Sequence, residues 1–321
     1  MFEYDKGIRL HGSSLWLDAA KTVSHCCVSH AHMDHARRHK HIFATPATVS
    51  LMRRRLGHIP ATVMPFGESL VFGQVQVTLF PAGHILGSAQ TLVENEAGER
   101  LLYSGDFNTE PCSTAEPLAY PTCDTLIMEC TFGNPAYRFP SRQILAQQLC
   151  DLVSEKLAQG YIPCIYGYAL GKAQEAMKIL SDNGFALSVH GSIIHLAQVY
   201  EKHGIDFGSY DRLRADTAVP GRVLILPPAA RRQRVVKRLQ KPFSIFLTGW
   251  GIRPEARFRY GVDMVLPLSD HADFDGLLQY IERVRPKRIY TTHGPKTYYQ
   301  FLRQQGYDAH PLEPSAQQEL F

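Results

Sequence analysis

A short polar segment, Ser29-His30-Ala31-His32-Met33-Asp34-His35, carries four potential metal ligands within six positions. Imidazole nitrogens and carboxylate oxygens bind zinc, manganese and related divalent cations in hydrolytic sites. Residues two apart in extended chain point the same way, so His30 and His32 can bind one cation. The turn beyond them can direct Asp34 and His35 to a second cation. The segment predicts a metal site; the alternative is a polar loop in a chain with fifteen histidines.

Two later residues could complete such a site. His84 lies in the segment 81–88 and Asp106 in the segment 103–107, each just after a predicted strand. Loops at strand ends are where folded proteins commonly present ligands. Taken alone, either residue is more typical of an ordinary hydrogen-bonded loop. Their order and context after the histidine segment make both of them candidate ligands.

The elements that must position these residues follow from apolar patterning. Short apolar runs separated by turns predict a sheet-rich first third, with strands at 15–17, 26–28, 75–80, 91–93 and 101–103. Helices and strands then alternate, which is typical of a parallel α/β unit. The predicted helices are 141–157, 172–180 and 194–202, and the strands are 162–166, 186–189, 223–226 and 244–247. Helix 275–284, strand 288–292 and helix 297–305 then return the chain to its first domain.

Length and composition indicate a globular protein of two domains. The 321 residues are 45% hydrophobic and 20% charged, with a net charge of only +4 that does not by itself establish a nucleic-acid partner. Seven cysteines without a C-x-x-C pair argue against a disulfide framework and a zinc ribbon. Residues 1–21 contain neither a signal-peptide core nor a membrane span, so we expect a cytoplasmic protein with no membrane partner.

The motifs resemble a known family. Asp18, the H-x-H-x-D-H segment, His84 and Asp106 are similar to the four successive motifs of the metallo-β-lactamase superfamily. The segments 129–133, 269–274 and 292–295 resemble motifs A, B and C of the β-CASP nucleases, and residues 168–175 resemble their inserted domain. Within that group the chain most resembles the bacterial ligase-associated DNA exonucleases, which are also described as mRNA 3′-end processing factor-like.

This resemblance implies a fold and its domain boundaries. The fold class is α/β, an αββα metallo-β-lactamase sandwich with an inserted small α/β β-CASP domain. Residues 1–134 and 267–321 would form the metallo-β-lactamase domain, and residues 135–266 the β-CASP domain.

The resemblance also implies a role for each motif residue. His30, His32 and His84 would hold one divalent ion, Zn or Mn, and Asp34, His35 and His293 would hold a second. Asp106 would bridge the two ions, and Asp18 would orient the loop ligands. His271 would protonate the departing sugar oxygen, with Glu129 accepting from its other ring nitrogen. In isolation, His271 could be a capping histidine and Glu129 a solvated acid.

Three basic features are weaker signals. The segment 167–172 is one residue short of a phosphate-binding P-loop, so we predict no nucleoside triphosphate hydrolysis. Lys172 at a helix start could still contact a nucleic-acid phosphate, and Ser269 is a second candidate. The runs 53–55 and 231–238 are more typical of solvated helix faces, although beside the site they would follow a phosphodiester backbone.

The implied function is a two-metal nuclease, most similar to a DNA exonuclease acting on single strands or ends in DNA repair. Its partner would be DNA rather than RNA, with a functional link to an ATP-dependent DNA ligase and a helicase. Glu129 and His293 together resemble the RNA-processing branch of the family, which makes an RNase the main alternative. A small-molecule ester or thioester metallohydrolase and a metal-binding protein without activity are more distant alternatives.

Overall fold

The computed structural model describes residues 1–214, 220–253 and 255–313, and the chain folds as two units. Unit 1 comprises Met1–Thr109, Ala115–Ala136 and His271–Phe321, and unit 2 comprises Glu110–Thr114 and Tyr137–Asp270. The last eight residues of the predicted outer domain, 314–321, lie outside the described residues.

Short strands and medium-length helices make up both units. The strands are β1 (Phe2–Tyr4), β2 (Ile8–Leu10), β3 (Leu15–Leu17), β4 (His25–Cys27), β5 (His41–Ala44), β6 (Ala61–Val63), β7 (Ser69–Phe72), β8 (Val75–Pro81), β9 (Ala89–Asn95), β10 (Arg100–Tyr103), β11 (Thr125–Glu129), β12 (Ile162–Tyr166), β13 (Leu187–Val189), β14 (Tyr210–Arg212), β15 (Val223–Leu226), β16 (Pro242–Leu247), β17 (Met264–Leu266), β18 (Arg288–Thr292) and β19 (Ala309–Pro311). The helices are α1 (Pro46–Leu56), α2 (Arg142–Ala158), α3 (Lys172–Asp182), α4 (Gly191–Lys202), α5 (Arg234–Lys237), α6 (Ala256–Tyr260), α7 (Phe274–Val284) and α8 (Thr297–Gln304).

Unit 1 contains two sheets that pack face to face. One sheet has the order β1-β2-β3-β4-β5-β6, and the other has the order β19-β18-β11-β10-β9-β8-β7. Leu15 and Leu17 of the first sheet share one apolar cluster with Leu101, Tyr103 and Ile127 of the second. This cluster is the interior of a sheet-on-sheet sandwich.

The opposite face of the seven-stranded sheet is covered by helices. Successive strand residues point to opposite faces, so Leu102 and Met128 face away from the sandwich interior. They share a second apolar cluster with Leu277 and Ile281 of α7 and Leu302 of α8. Asp273 begins α7 by accepting a hydrogen bond from the Gly276 N–H at 2.8 Å.

Unit 2 is a parallel sheet with helices. Its strand order is β14-β13-β15-β12-β16-β17, and every neighbouring pair is parallel. The central strands β12 and β15 are buried at every position, as their continuous apolar sequences require. Helix α2 begins at a Ser141 cap that accepts from the Ile144 N–H.

The predicted fold class, an αββα sandwich with an inserted α/β domain, is confirmed. The strands predicted at 162–166, 223–226 and 288–292 are found with those bounds. Helix α4 begins at Gly191, three residues before its predicted start, because His190 caps the Ser192 N–H. In the described part of the chain, no helix has the length and hydropathy that a membrane crossing needs.

Candidate metal centre

The histidine loop follows β4 and is held by Asp18. The Asp18 carboxylate accepts hydrogen bonds from the Ser29 N–H at 2.8 Å, the Ser29 hydroxyl at 2.5 Å and the Tyr103 hydroxyl at 3.0 Å. His35 Nδ1 lies 2.7 Å from the same carboxylate. Because Nδ1 of His35 is engaged there, its Nε2 is the ring nitrogen left for another ligand. Asp18 therefore fixes both the start of the loop and the direction of one of its histidines.

Three histidines and one carboxylate form a first cluster. The ligand atoms of His30, His32, His84 and Asp106 all lie within 4.8 Å of one another. His32 Nδ1 lies 3.1 Å from His30 Nε2 and 3.0 Å from His84 Nε2, and Asp106 Oδ2 lies 3.5 Å from His30 Nε2. Ligands about 2 Å from a tetrahedral zinc ion are separated by about 3.3 Å. The cluster therefore has the dimensions and the donor chemistry of a metal site.

A second cluster uses the other oxygen of Asp106. Asp106 Oδ1 lies 3.4 Å from His35 Nε2 and 3.8 Å from His293 Nδ1. Among the described residues, His35 Nε2 and Asp106 Oδ1 are buried polar atoms without a hydrogen-bond partner. Unsatisfied buried polar atoms are costly, and a cation between these two would satisfy both. The two oxygens of Asp106 thus face two different histidine clusters.

His293 is presented by an unusual backbone turn after β18. Its φ of 51° lies in the left-handed region, which costs a non-glycine residue about 1–2 kcal/mol. Gly294 follows, and a Cβ there would lie only 2.0 Å from the carbonyl oxygen of Cys130. Only glycine allows this close approach. The turn that directs His293 towards Asp106 therefore depends on both residues.

Electrostatics in the cluster favour an ionised Asp106. Burial alone would raise the pKa of its carboxyl, but His35 and His293 hold the pKa well below its usual range. Burial and the neighbouring His35 lower the pKa of His30, which keeps His30 neutral. An ionised carboxylate and a neutral imidazole are the forms that bind a metal ion. Burial would lower the pKa of His35, but Asp106 and Asp18 hold that pKa well above its usual range, so this ring must release a proton to bind an ion.

Asp34 lies at the edge of this arrangement. Among the described residues, it belongs to neither cluster, and its side chain is 75% exposed. Its Oδ2 is 4.0 Å from His35 Nε2. The Ala36 N–H donates to the His32 carbonyl at 2.7 Å, and this tight turn leaves Asp34 facing outward. The structure thus brings together every predicted ligand except Asp34.

A buried acid and a histidine pair beside the clusters. His271 Nδ1 lies 2.9 Å and 3.0 Å from the two oxygens of Glu129. Glu129 is buried at the end of β11, where its carboxylate also accepts from the Phe107 N–H and the Thr131 hydroxyl. The rings of His271 and His84 are 4.6 Å apart. The pair predicted from motifs A and B is therefore formed next to a candidate metal ligand.

The two candidate phosphate contacts, Lys172 and Ser269, lie in the interior of unit 2. Lys172 is only 2% exposed, and its Nζ lies 3.2 Å from Asp270 Oδ1 and 3.9 Å from Glu175 Oε2. Ser269 is also buried, and its carbonyl accepts from the Arg142 guanidinium at 2.9 Å. The lysine charge is therefore directed at two carboxylates inside the unit.

Sequence reasoning missed several residues that support the centre. Tyr103 and Ser29 donate to Asp18, and Thr131 donates to Glu129. The guanidinium of Arg55 donates to the carbonyl of Ala31, between two of the histidines. Ser29, Tyr103 and Thr131 lie in or beside motifs, whereas Arg55 lies in helix α1, and no spacing rule identifies the partner of any of them.

Comparison with known proteins places this geometry in context. A family model described as "Zn-dependent metallo-hydrolase RNA specificity domain" matches residues 255–312. The chain is 38% identical over 321 residues to a "Probable DNA ligase" of Opitutus terrae, which covers 99% of this chain and 32% of that protein.

Two archaeal proteins are also similar. An "RNase J-like protein" of Methanocaldococcus jannaschii is 29% identical over 212 residues, covering 56% of this chain and 50% of that protein. An "Uncharacterized protein in lig 3'region" of Acidianus ambivalens is 33% identical over 142 residues, covering 44% of this chain and 97% of that protein. The chain thus spans about a third of the Opitutus relative and half of the Methanocaldococcus relative.

Proposed function

The chain belongs to the β-CASP nuclease family of the metallo-β-lactamase superfamily, and from that premise we propose that it is a two-metal nuclease that removes nucleotides from DNA ends. The observation that carries the proposal is Asp106, whose two oxygens face two separate histidine clusters. A bridging carboxylate of this kind is what a pair of divalent ions requires. Its substrate is a phosphodiester bond of a single strand or a strand end, in the setting of DNA repair.

The proposed ligand sets follow the two clusters. His30, His32 and His84 would hold one ion, and His35 and His293 would hold the other, with Asp106 between the two sets. Asp34, whose Oδ2 lies 4.0 Å from His35 Nε2, would be a further ligand of the second ion. Imidazole and carboxylate donors suit both zinc and manganese. When bound, the two ions lower the pKa of a water and neutralise charge that develops on the phosphate.

The residues of the chain itself supply proton transfer and orientation. Glu129 holds His271 through Nδ1 and stabilises the protonated ring, which leaves Nε2 as the proton donor to the departing sugar oxygen. Asp18 keeps His35 aimed at the second ion by binding its other nitrogen. In this mechanism Asp106 and His271 act at the reacting atoms, Glu129 positions His271, and Asp18 positions His35.

The preference for DNA rests on two relatives. One is named a probable DNA ligase, and the other is named for a position beside a ligase gene. An enzyme that trims strand ends would prepare substrates for ligation, so we propose a functional link to an ATP-dependent DNA ligase and a helicase. The seven cysteines are all free, which supports work in the reducing cytoplasm. Residues 1–134 and 267–321 form the proposed metallo-β-lactamase domain, and residues 135–266 the proposed β-CASP domain.

RNA is the second candidate substrate. The family model that matches residues 255–312 is described by RNA specificity, and one relative is named RNase J-like. The combination of Glu129 and His293 also resembles the RNA-processing branch. An endo- or exoribonuclease is therefore the alternative function of the same metal centre.

The test is digestion of matched single-stranded DNA and RNA of the same sequence, labelled separately at each end, with zinc or manganese added. Mononucleotides released from DNA support the exonuclease, and the label that appears first gives its polarity. Preferential cleavage of RNA moves the chain to the RNA-processing alternative. An Asp106→Ala protein serves as the inactive control, and Asp182→Ala, which removes an exposed carboxylate of unit 2, serves as its matched partner. Cleavage of neither polymer refutes the proposal.

A further inference from the structure

The positive charge of the chain is concentrated next to the histidine loop. Residues 35–67 contain six Lys and Arg and no Asp or Glu. The whole chain has 34 basic and 30 acidic residues, so the rest has 28 and 30 and a net charge of −2. The six are named the basic patch: Arg37, Arg38, Lys40, Arg53, Arg54 and Arg55. One tenth of the sequence therefore accounts for the whole positive net charge of the chain.

Folding brings the two halves of the basic patch together within unit 1. All six residues are exposed. The Arg38 guanidinium donates to the carbonyl of Leu56, where helix α1 ends. This hydrogen bond joins the loop that carries Arg37, Arg38 and Lys40 to the end of the helix that carries residues 53–55. The Arg55 guanidinium donates to the carbonyl of Ala31, which lies between His30 and His32. The patch is thus attached directly to the candidate metal ligands.

Local helix chemistry explains only half of this arrangement. Basic side chains in the last turn of a helix are favoured by the helix dipole, which accounts for residues 53–55 of α1. Arg37, Arg38 and Lys40 lie outside any helix, so the dipole does not explain them. Asp34 is an acid whose charge acts on Arg55, yet basic side chains dominate this surface, which is typical of a site for a polyanion.

We propose that the basic patch binds the phosphodiester backbone of the DNA strand whose end enters the metal centre. This inference rests on the proposed function. Phe43 and Phe66, the phenylalanines of the segment 35–67, are both partly buried in an apolar cluster, so neither ring is presented to stack on a base. Contacts to phosphates alone position a strand without reading its sequence. Binding by the patch is therefore strongly dependent on salt and independent of sequence.

The test compares two triple variants with equal loss of charge. The patch variant R37Q/K40Q/R54Q leaves Arg38, Arg53 and Arg55 in place, and with them their hydrogen bonds to backbone carbonyls. The control variant R283Q/R285Q/K287Q lies before β18, whereas His293 follows the other end of that strand, about 17 Å away. Each protein is assayed for kcat/KM on a 30-nucleotide single-stranded DNA and on bis(p-nitrophenyl) phosphate, which has no strand to extend over the patch.

The patch variant should lower kcat/KM on DNA by at least about tenfold at ~50 mM salt, and its slope of log kcat/KM against log salt should be shallower by about two. The control variant should keep the wild-type slope, and all three proteins should cleave the small diester equally. Equal slopes in the patch variant and the wild type overturn the inference, as does an equal loss on the small diester. If the wild type cleaves neither substrate, the proposed function fails. In that case fluorescence anisotropy measures the DNA affinity of each protein, and the slopes of log affinity against log salt are compared in the same way.

Discussion

The pairing of Glu129 with His271 makes a prediction that separates proton transfer from metal binding. In Glu129→Gln the side chain keeps its shape but loses the charge that stabilises a protonated His271. General acid catalysis contributes about 10²–10⁴-fold to a rate. We therefore expect kcat on DNA to fall by that factor, about 3–5 kcal/mol of transition-state stabilisation. The bound metal should be unchanged, because Glu129 is not among the proposed ligands.

A second substrate, whose leaving group needs no proton, distinguishes a loss of proton transfer from a general loss of activity. A p-nitrophenyl ester of thymidine 5′-phosphate has a leaving group that needs no proton, so kcat on this ester should fall less than about tenfold in Glu129→Gln and in His271→Ala. On DNA, the alkaline limb of the pH–rate profile should move to lower pH in Glu129→Gln, since the protonated ring has lost its carboxylate partner. Equal losses on both substrates would refute the role of His271 as proton donor.

The buried position of Glu129 requires one control. Its carboxylate accepts from the Phe107 N–H and the Thr131 hydroxyl, so an amide there loses hydrogen bonds and destabilises the fold by about 1–3 kcal/mol. Thermal unfolding of each variant is therefore measured beside its kinetics. His271→Ala removes the histidine and leaves in place the hydrogen bonds that Glu129 accepts from Phe107 and Thr131. Both variants should share the kinetic defect, and each should lower Tm, because each removes a hydrogen bond of this buried carboxylate.

Three further predictions concern the residues around the centre. Asp18→Asn should weaken metal affinity about 10–100-fold, measured by competition with a chelating dye, while kcat at saturating metal stays close to wild type; unchanged affinity would contradict the orienting role of Asp18. Lys172→Met removes the buried cation beside Asp270, while Glu175 keeps its ion pair with Arg142, and should cost about 3–5 kcal/mol in urea unfolding. Lys178→Met, at an exposed pair, should cost less than about 1 kcal/mol, and similar costs would mean that the buried ions do not interact. Burial raises the pKa of Cys27, Cys123, Cys130 and Cys164 to about 12, so at pH 8 these thiols stay protonated and iodoacetamide should label native protein only at the half-buried Cys112. Mass spectrometry checks this labelling, and a native modification of Cys130 would contradict it.

Most candidate ligands that the structure brings together could be selected from the sequence because they lie in short motifs at strand ends. His30, His32, His84 and Asp106 were each predicted as ligands from local context, and the structure places their ligand atoms together. Asp34 shows the limit of spacing. His32 and His35 of the same motif belong to the two clusters, but the turn at His32 leaves the Asp34 side chain exposed.

Contacts between distant segments were beyond prediction. Lys172 follows a glycine-rich turn at a helix start, which suggested a phosphate contact, but the fold buries it against Asp270, about a hundred residues away. The strands β1 and β2 were not predicted, although each places a charged residue between two apolar ones. Helix α1 was not predicted either, although a Thr45 cap and a proline mark its start. Local sequence patterns do not show which distant residues will contact one another in the folded chain.

The number of metal ions bound by the purified chain and by variants of each cluster, measured by elemental mass spectrometry beside diesterase activity, tests the two-metal proposal most directly. We expect about two ions per wild-type chain, about one in His84→Ala and in His293→Ala, and activity that a chelator abolishes and zinc or manganese restores. A wild-type chain that binds one ion or none at saturating metal, or that cleaves DNA in the presence of the chelator, would contradict it.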